Sequence, residues 1–230
     1  MPDVPSLDDL RGPPPSNWRQ MDRPDRYREA LLALDDAGLT YWCDCSRKRL
    51  DAQPAGPDGE RRYDGRCRSR GLGPGHDRGV RARIEPRVEN FDDGRLGVLS
   101  QEPSSQCGDV LLRDRLAQWT YQLAVTVDDW LDGVHLVVRG EDLLTSTGRQ
   151  IAIGRLVGRR TPATFVHHPL VMNADGVKLS KANRDASLRE LRRDGLSPAA
   201  VLGRAAAACG LIGTARDVRI AEVGDIVIRR

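Results

Sequence analysis

Residues 134–160 read VHLVVRGEDLLTSTGRQIAIGRLVGRR, and this stretch decides the fold class. The apolar run VHLVVRG (134–140) is typical of a buried strand, and the apolar residues within 151–157 recur at the spacing of a helix. Thr145 or Ser146 would be the N-cap of that helix. A strand, a short turn and a helix in this order form half of a parallel βαβ unit. The sequence therefore predicts an α/β fold with a parallel sheet.

Helices and strands are also expected on both sides of this unit. Upstream, DRYREALLALDDAG (25–38) repeats apolar residues at helical spacing and stops at Gly38. The remaining predicted elements are, in chain order, a strand-like alternation at 80–91, an Asp-Gly turn at 93–94, a short strand at 109–113, a helix at about 115–128, a strand at 164–172, helices after Ser187 and Ser197, and a weakly packed tail at 211–230.

The composition excludes several classes of protein. With 39% hydrophobic and 30% charged residues, the chain of 230 residues can bury a core and is not expected to be disordered, collagen-like or membrane-spanning. Residues 1–16 are acidic and rich in proline, unlike a signal peptide. We therefore expect a cytoplasmic protein without membrane contact.

Arginine supplies almost all of the positive charge. Only Lys48, Lys178 and Lys181 are lysines among the 36 basic residues, and the net charge is +3. A run of arginines within 61–83 favours a polyanionic partner, because basic stretches attract phosphate backbones. A solvated protein surface is the alternative interpretation of this run, and charge alone favours it.

Three of the five cysteines, Cys43, Cys45 and Cys67, lie in a segment at 41–75 that lacks apolar periodicity. Because such a segment cannot form a hydrophobic core of its own, it needs a cross-link such as a bound metal or a disulfide to be stable. The odd number of cysteines and the expected compartment argue against disulfides. Three thiolates and one further ligand would complete a tetrahedral zinc site, and three unrelated buried thiols are the alternative.

The residues alone leave the fourth ligand open. Tyr63, Asp64 and His76 are the candidates nearby. General coordination chemistry favours His76, because imidazole is a common zinc ligand and a phenol is not. Cys107 and Cys209 lie in apolar or turn contexts, so we expect them to be ordinary buried residues.

Two polar segments suit a phosphate or carboxylate ligand. The loop Lys178-Leu179-Ser180-Lys181 carries two ammonium groups and a hydroxyl, which suit a polyphosphate, although an exposed basic loop is the alternative. Arg139 follows the predicted strand, at the sheet edge where ligands bind in parallel α/β folds. Its guanidinium could bind a ligand carboxylate through two hydrogen bonds, or form a salt bridge with the neighbouring Glu141 or Asp142.

Three more side chains are open to two interpretations each. Tyr121 lies on a predicted helix and could be a core residue or a hydrogen-bond donor in a pocket. His167 and His168 are adjacent on a predicted strand, so their side chains point to opposite faces and cannot easily share a metal ion. We interpret them as structural, with at most one of them next to a nucleotide.

Taken in order, these segments resemble one known family. The segments are CDCSR (43–47), RRYDGRC (61–67), GDVLLR (108–113), YQLAVTVDD (121–129), VVRGEDLL (137–144) and HHPLVMNADGVKLSKAN (167–183). The set is similar to the glutamyl-queuosine tRNA(Asp) synthetases, which are short relatives of glutamyl-tRNA synthetase in the class I aminoacyl-tRNA synthetase superfamily. The resemblance covers roughly residues 20–210.

The resemblance implies a partial Rossmann-like parallel sheet with a zinc-stapled insert and a short helical C-terminal region. The implied zinc ligands are Cys43, Cys45, Tyr63 and Cys67, since the family uses a tyrosine as the fourth ligand. The implied domains are an entry segment and helix of an incomplete nucleotide-binding domain at 1–40, a zinc-containing, acceptor-binding-like insert at 41–114, the second half of the catalytic domain with the KLSKA loop at 115–186, and a helical region at 187–230.

The resemblance also implies an activity. The family activates glutamate with ATP and Mg²⁺, releases pyrophosphate, and transfers glutamate from the adenylate to the cyclopentene-diol of queuosine in the anticodon of tRNA(Asp). Tyr121 and Arg139 match positions that contact glutamate, and Lys181 matches a position that contacts ATP. The implied catalytic residues are Lys178, Ser180 and Lys181. The implied partners are tRNA(Asp), glutamate and ATP, bound by a monomer.

One feature of the family is missing from these 230 residues. No histidine precedes His76, so the H-x-G-[HST]-type signature that seats ATP is absent. If the chain is complete, we expect little or no adenylation and an unpaired edge of the sheet. The alternatives are a non-catalytic, zinc-stapled module that binds tRNA, and a small zinc protein without a role in RNA binding.

Overall fold

The computed structural model describes residues 19–57, 59–172 and 187–228. The chain divides into two compact units. The first comprises the residues up to Val138 together with Leu143–Val166, and the second comprises Arg139–Asp142 together with the residues from His167 onward.

Short helices and strands alternate along most of the described chain. In order they are α1 (Pro24–Asp36), β1 (Thr40–Cys43), α2 (Arg47–Asp51), β2 (Gly79–Ala82), β3 (Glu89–Asp93), β4 (Gly97–Gln101), α3 (Pro103–Gln106), β5 (Leu111–Arg113), α4 (Tyr121–Leu131), β6 (Leu136–Gly140), α5 (Thr147–Leu156), β7 (Thr164–His168), α6 (Leu188–Arg193), α7 (Pro198–Ala208) and α8 (Ile220–Ile228). Two 3₁₀ helices, at Gln20–Asp22 and Glu141–Ser146, precede α1 and α5.

Helix α1 agrees with its sequence prediction. It begins at Pro24, whose ring is compatible with the first turn of a helix. It ends just before Gly38, which has a φ of +70° and so adopts the left-handed conformation that follows many helices. Tyr27, Leu31 and Leu34 are buried on one face, as their spacing predicts.

The main core of the first unit lies between three helices, α1, α4 and α5, and an antiparallel sheet of order β1-β2-β5. Strand β2 is central and pairs with β1 from Thr40↔Ala82 to Cys43↔Gly79. Leu112, Leu123 and Ile153 have no exposed surface in this core. The sheet thereby holds the last residue of β1 and the polar residues of β2 in fixed positions.

The second sheet contains β6, which is the strand of the predicted strand–helix unit. The order of its strands is β4-β3-β7-β6. Strands β3 and β7 pair in parallel at Asp93↔Phe165, which confirms the α/β class. Strands β3 and β4 form an antiparallel hairpin, so the sheet is mixed. Phe91 and Phe165 pack edge to face with ring centroids 5.6 Å apart, and they centre a second apolar cluster.

Strand β6 is less buried than its apolar run predicts. Leu136 and Val138 are 55% and 61% exposed, whereas Val137 between them packs against the cluster of Phe91 and Phe165. β6 is the last strand in the sheet order, and alternate side chains of a strand point to opposite faces. The prediction of a buried strand is therefore wrong, because no described element covers the second face of β6.

The position of the α5 N-cap agrees with its prediction, but the capping hydrogen bond is missing. Ser146 occupies the N-cap position but its side chain makes no capping hydrogen bond, because the preceding 3₁₀ helix runs directly into α5. The Thr145 hydroxyl donates to Glu60 instead, over 2.8 Å. The free backbone N–H of Gly148 is satisfied by Gln101 Oε1 at 2.7 Å.

Helix α4 begins at Tyr121, six residues later than predicted. The Asp114 carboxylate accepts hydrogen bonds from the backbone N–H groups of Leu116 and Gln118, each over 2.8 Å, and so closes a turn there. Thr120 then caps the helix by accepting a hydrogen bond from the backbone N–H of Leu123 over 3.4 Å. These side-chain contacts compete with helix formation before Tyr121.

Two helix starts in the second unit agree with their predictions. Ser187 and Glu190 form a reciprocal capping box at the start of α6. Ser197 caps α7 by accepting a hydrogen bond from the backbone N–H of Ala200 over 3.1 Å.

The predicted weakly packed tail contains a helix, and Val218 is the one buried residue among 211–226. Residues 220–228 form α8, and Val218 is 1% exposed with its N–H donating to the carbonyl oxygen of Ala199. Gly203 on α7 permits this contact, since a Cβ there would lie 1.6 Å from the carbonyl oxygen of Arg216. Every helix in the described part of the chain, α8 included, is too short or too polar to cross a lipid bilayer.

Candidate functional site

Three thiols meet at the end of the antiparallel sheet. Cys43 is the last residue of β1, Cys45 follows two residues later, and Cys67 lies in a turn beyond Tyr63. The three sulfur atoms lie within 4.8 Å of one another, and all three residues are buried. The structure therefore brings together three residues that could hold a metal ion.

Tyr63 is the fourth side chain at this cluster. Its hydroxyl oxygen lies 3.6 Å from Cys43 Sγ and accepts a hydrogen bond from the backbone N–H of Cys67 over 2.9 Å. His76, the choice of general coordination chemistry, is exposed and lies outside the cluster. The Asp64 carboxylate accepts hydrogen bonds from the Arg49 guanidinium and a backbone N–H. Of the three candidates for a fourth ligand, Tyr63 is the one that contacts a thiol.

A glycine permits Tyr63 to reach the thiols. The N–H of Tyr63 donates to the carbonyl oxygen of Cys107 over 3.0 Å, so the two backbone segments run side by side. Gly108 follows with a φ of +69°, and a Cβ on it would lie 2.4 Å from the carbonyl oxygen of Tyr63. The position therefore requires glycine for its conformation and for its close backbone approach.

The distances at the cluster fit a tetrahedral zinc site. With Zn–S bonds of about 2.3 Å, two thiolate ligands lie about 3.8 Å apart, and a thiolate and an oxygen ligand lie about 3.6 Å apart. Cys45 Sγ and Cys67 Sγ are 3.7 Å apart, and Cys43 Sγ and the Tyr63 hydroxyl are 3.6 Å apart. Four protein ligands would leave no open position, which is typical of a structural zinc site.

The thiols differ in acidity for identifiable reasons. Burial and the neighbouring Cys43 raise the pKa of the Cys45 thiol. Burial acts the same way on Cys43, but hydrogen bonds from Arg81, from the backbone at Cys45 and from Tyr63 outweigh it and lower the pKa of the Cys43 thiol. Burial, with hydrogen bonds to Cys67 and Cys43, raises the pKa of the Tyr63 hydroxyl. A divalent cation at the cluster would favour ionisation of the thiols.

The arginine-rich stretch separates into two groups. Arg68 and Arg70 form ion pairs with carboxylates, and Arg62 and Arg68 border a cavity of about 570 Å³ next to Tyr63. Among the described residues of this stretch, four arginines donate to backbone carbonyl oxygens only: Arg61 to Gln53, Arg62 to Ser104, Arg78 to Gly73 and Arg83 to Arg68. This second group leaves uncompensated positive charge near the cluster, as the attraction of a polyanion would require.

Arg139 has a partner that the sequence analysis did not identify. It is buried at the end of β6, and its Nε donates to Nε2 of the fully buried His167 over 2.9 Å. A nitrogen that accepts this bond is unprotonated, so the His167 proton lies on Nδ1. His168 places its Nδ1 2.9 Å from the carbonyl oxygen of Pro169. The alternation of side chains along a strand was the signal that one of the two histidines faces inward.

Of the other predicted substrate-binding residues, the structure describes Tyr121 only. Tyr121 is the first residue of α4 and is 47% exposed, so it is not a core residue. It belongs to the first unit, whereas Arg139 belongs to the second. Lys178, Ser180 and Lys181 lie outside the described residues.

Comparisons with known proteins give consistent results. The family "tRNA synthetases class I (E and Q), catalytic domain" matches residues 10–214. A Glutamyl-Q tRNA(Asp) synthetase of Bordetella bronchiseptica is 46% identical over 163 residues, which cover 68% of this chain and 50% of that protein. Proteins of the same name from Geobacter sulfurreducens and Escherichia coli are 42% and 39% identical, over 77% and 74% of this chain and 58% and 52% of theirs.

Solved structures show a similar fold. A glutamate tRNA ligase from Elizabethkingia meningosepticum superposes with a TM-score of 0.58 at 22% identity, over 82% of this chain and 39% of that one. The chain spans about half the length of the curated relatives that it matches. Because the family match covers most of the sequence, including the cysteine cluster and Arg139, the chain belongs to the class I tRNA synthetases (E and Q), in their catalytic domain.

Proposed function

We propose that this protein activates glutamate with ATP and transfers it to queuosine in the anticodon of tRNA(Asp), as a cytoplasmic monomer. The observation that carries this proposal is the identity of 39–46% with proteins named Glutamyl-Q tRNA(Asp) synthetase, over 68–77% of this chain. The family match at residues 10–214 also includes the loop at 178–182.

Two displacement reactions make up the proposed chemistry. A carboxylate oxygen of glutamate attacks the α-phosphorus of ATP, and pyrophosphate leaves with the bonding electrons. A hydroxyl oxygen of the queuosine cyclopentene-diol then attacks the acyl carbon of the adenylate, AMP leaves, and the hydroxyl loses its proton. Negative charge grows on the leaving phosphates in both steps, so the site needs positive charge beside them.

Five side chains are proposed to serve these steps. Arg139 binds a glutamate carboxylate through parallel hydrogen bonds, and Tyr121 donates a hydrogen bond to the amino acid. Lys178, Ser180 and Lys181 bind the phosphates of ATP, which enters with Mg²⁺. The bond from Arg139 Nε to His167 supports this role, because it fixes the orientation of the guanidinium plane at the end of β6.

The cysteine cluster is proposed as a structural zinc site. Cys43, Cys45, Tyr63 and Cys67 would hold the ion, and zinc would cross-link a segment that has little apolar core of its own. The arginines of this stretch that donate only to carbonyl oxygens, Arg61, Arg62, Arg78 and Arg83, would attract the phosphate backbone of the tRNA.

Exchange of labelled pyrophosphate into ATP tests the first step. We expect exchange that depends on glutamate, that is slow because residues 1–230 lack the H-x-G-[HST] signature, and that Arg139→Gln abolishes. Arg160→Gln, which changes an exposed arginine beyond α5, is the matched control and should exchange like the unmodified protein. Exchange that persists without glutamate, or is unchanged in Arg139→Gln, would refute the proposed site.

A second candidate function is a zinc-stapled module that binds tRNA without catalysis. The uncompensated arginines beside the cluster favour it. Filter binding of tRNA(Asp) at increasing salt distinguishes the two candidates when combined with exchange. Salt-sensitive binding without any exchange supports the second function, and glutamate-dependent exchange followed by transfer to queuosine-containing tRNA(Asp) supports the first.

A further inference from the structure

Arg81 is a buried arginine at the cysteine cluster. It lies on β2 and is 5% exposed, and its Nε donates to Cys43 Sγ over 3.4 Å. Its Nη1 donates to the carbonyl oxygen of Asp109 over 2.8 Å, and its Cζ lies 3.7 Å from the centroid of the Tyr63 ring. One guanidinium therefore contacts two of the four side chains that we propose as zinc ligands.

Other arginines near the cluster have carboxylate partners. Arg70 Nη1 contacts Cys67 Sγ at 3.5 Å and also donates to both carboxylate oxygens of Asp44, each at 2.7 Å. Arg49 forms an ion pair with Asp64. The side chains of these two arginines are each 36% exposed, so water also shares in the solvation of their charges.

Arg81 lacks such a partner. In the described ranges of the chain, neither its hydrogen bonds nor its ion pairs involve a carboxylate. The buried carboxylate of Asp109 is bound by Arg68, the Tyr41 hydroxyl and the backbone N–H of Ile84. A guanidinium stays protonated in proteins, and a buried charge without a counter-ion is strongly unfavourable. The balancing negative charge must therefore come from the cysteine cluster.

The charges balance when the cluster holds zinc. Three thiolates exceed the charge of one Zn²⁺ by a negative charge, and the Arg81 guanidinium contacts one of these thiols. We propose that Arg81 is the counter-ion of this metal centre, a positioning residue that holds the Cys43 thiolate and stabilises the loaded cluster. The inference rests on the proposed zinc site and adds a residue that is not itself a ligand.

The proposal implies that the metal and the Arg81 charge stabilise each other. Because such coupling is reciprocal, loss of the charge must weaken metal binding, and loss of the metal must leave the buried charge unbalanced. A neutral residue at position 81 should therefore destabilise the zinc-loaded protein more than the zinc-free protein. An arginine that served only to pack and to bridge to Asp109 would affect both forms equally.

Competition with a chromophoric chelator at constant pH measures the zinc affinity of each variant. Arg81→Met and Arg81→Gln should bind zinc about 10–100-fold more weakly, the range found for residues that support metal ligands. Arg81→Lys keeps the charge and should lose less. The difference in Tm between zinc-loaded and chelator-treated protein should also shrink in the neutral variants. A tetrahedral Co²⁺ spectrum in these variants would show that the ligands still assemble.

Arg83→Met is the matched control. Arg83 directly follows β2, donates to the carbonyl oxygen of Arg68 over 3.1 Å and stacks on Tyr41, but it has no sulfur partner among the described residues. Its zinc affinity should equal that of the unmodified protein. If the unmodified protein binds no zinc, the zinc site itself is wrong. If it binds zinc and both neutral variants bind it equally well, the role of Arg81 is wrong, and Arg81→Gln answers this question even where Arg81→Met does not fold.

Discussion

Gly108→Ala is expected to damage both the stability of the protein and its metal site. The substitution forces alanine into a φ of +69°, which costs about 1–2 kcal/mol for a residue with a Cβ. The new Cβ would also lie 2.4 Å from the carbonyl oxygen of Tyr63, and relief of such an overlap costs about a further 1–3 kcal/mol. The total destabilisation should therefore be about 2–5 kcal/mol.

Gly133→Ala separates the two contributions to this loss. Gly133 also has a φ of +69°, but no atom lies within 4 Å of the position that its Cβ would take. This variant should lose only the conformational part, about 1–2 kcal/mol. The difference between the two variants therefore measures the overlap with the backbone of Tyr63.

Urea denaturation with excess zinc gives the free energies of unfolding, and chelator competition gives the zinc affinity. Gly108→Ala should be the less stable variant and should bind zinc more weakly, because the shift of the backbone moves the Tyr63 hydroxyl away from Cys43. Gly133→Ala should keep the zinc affinity of the unmodified protein. Equal stabilities and equal zinc affinities in the two variants would refute the reasoning.

Three further changes test other parts of the structure. Tyr63→Phe should weaken zinc binding by at least about tenfold in chelator competition, whereas His76→Ala should leave it unchanged. The opposite result would indicate that His76, and not Tyr63, is the fourth ligand. Ile153→Ala should lower the free energy of unfolding by about 2–5 kcal/mol, because Ile153 has no exposed surface, whereas Ile220→Ala, at 82% exposed, should change it by less than about 0.5 kcal/mol. Burial would raise the pKa of the Glu60 carboxyl, but hydrogen bonds from Arg149 and Thr145 outweigh it and lower that pKa. The ionised carboxylate therefore stabilises the fold above the ordinary glutamate pKa of about 4.3, and this contribution is lost as the pH falls through the lowered pKa. Glu60→Gln should consequently show a shallower loss of stability in acid by urea denaturation, and identical acid profiles would contradict this assignment.

The elements that the sequence predicted well depend on local interactions. Helix α1 follows from the spacing of Tyr27, Leu31 and Leu34 and from the stop at Gly38. The starts of α6 and α7 follow from serines whose side chains bond to backbone groups three residues away. Short-range patterns of this kind can be recognised without knowing the rest of the fold.

The predictions that failed concern burial and competition between neighbours. The run at 134–140 has the composition of a central strand, yet Leu136 and Val138 are exposed because no described element covers their face of β6. The helix predicted from 115 begins at Tyr121 because Asp114 binds the backbone of the preceding turn. The covering of a sheet face and such side-chain competition depend on the whole arrangement of the chain.

The sequence by itself determined the α/β class, the family resemblance and the three cysteines of the candidate metal site. The tertiary structure showed that Tyr63, which the resemblance already implied as the fourth ligand, contacts a thiol and that His76 does not. It also decided that His167 contacts Arg139 and that Arg81 is buried beside Cys43. The physical reason is distance along the chain: Arg81 and Cys43 are 38 residues apart, and Arg139 and His167 are 28 apart. Periodicity and capping act over a few residues, whereas a buried charge finds its counter-ion only after the sheets have assembled.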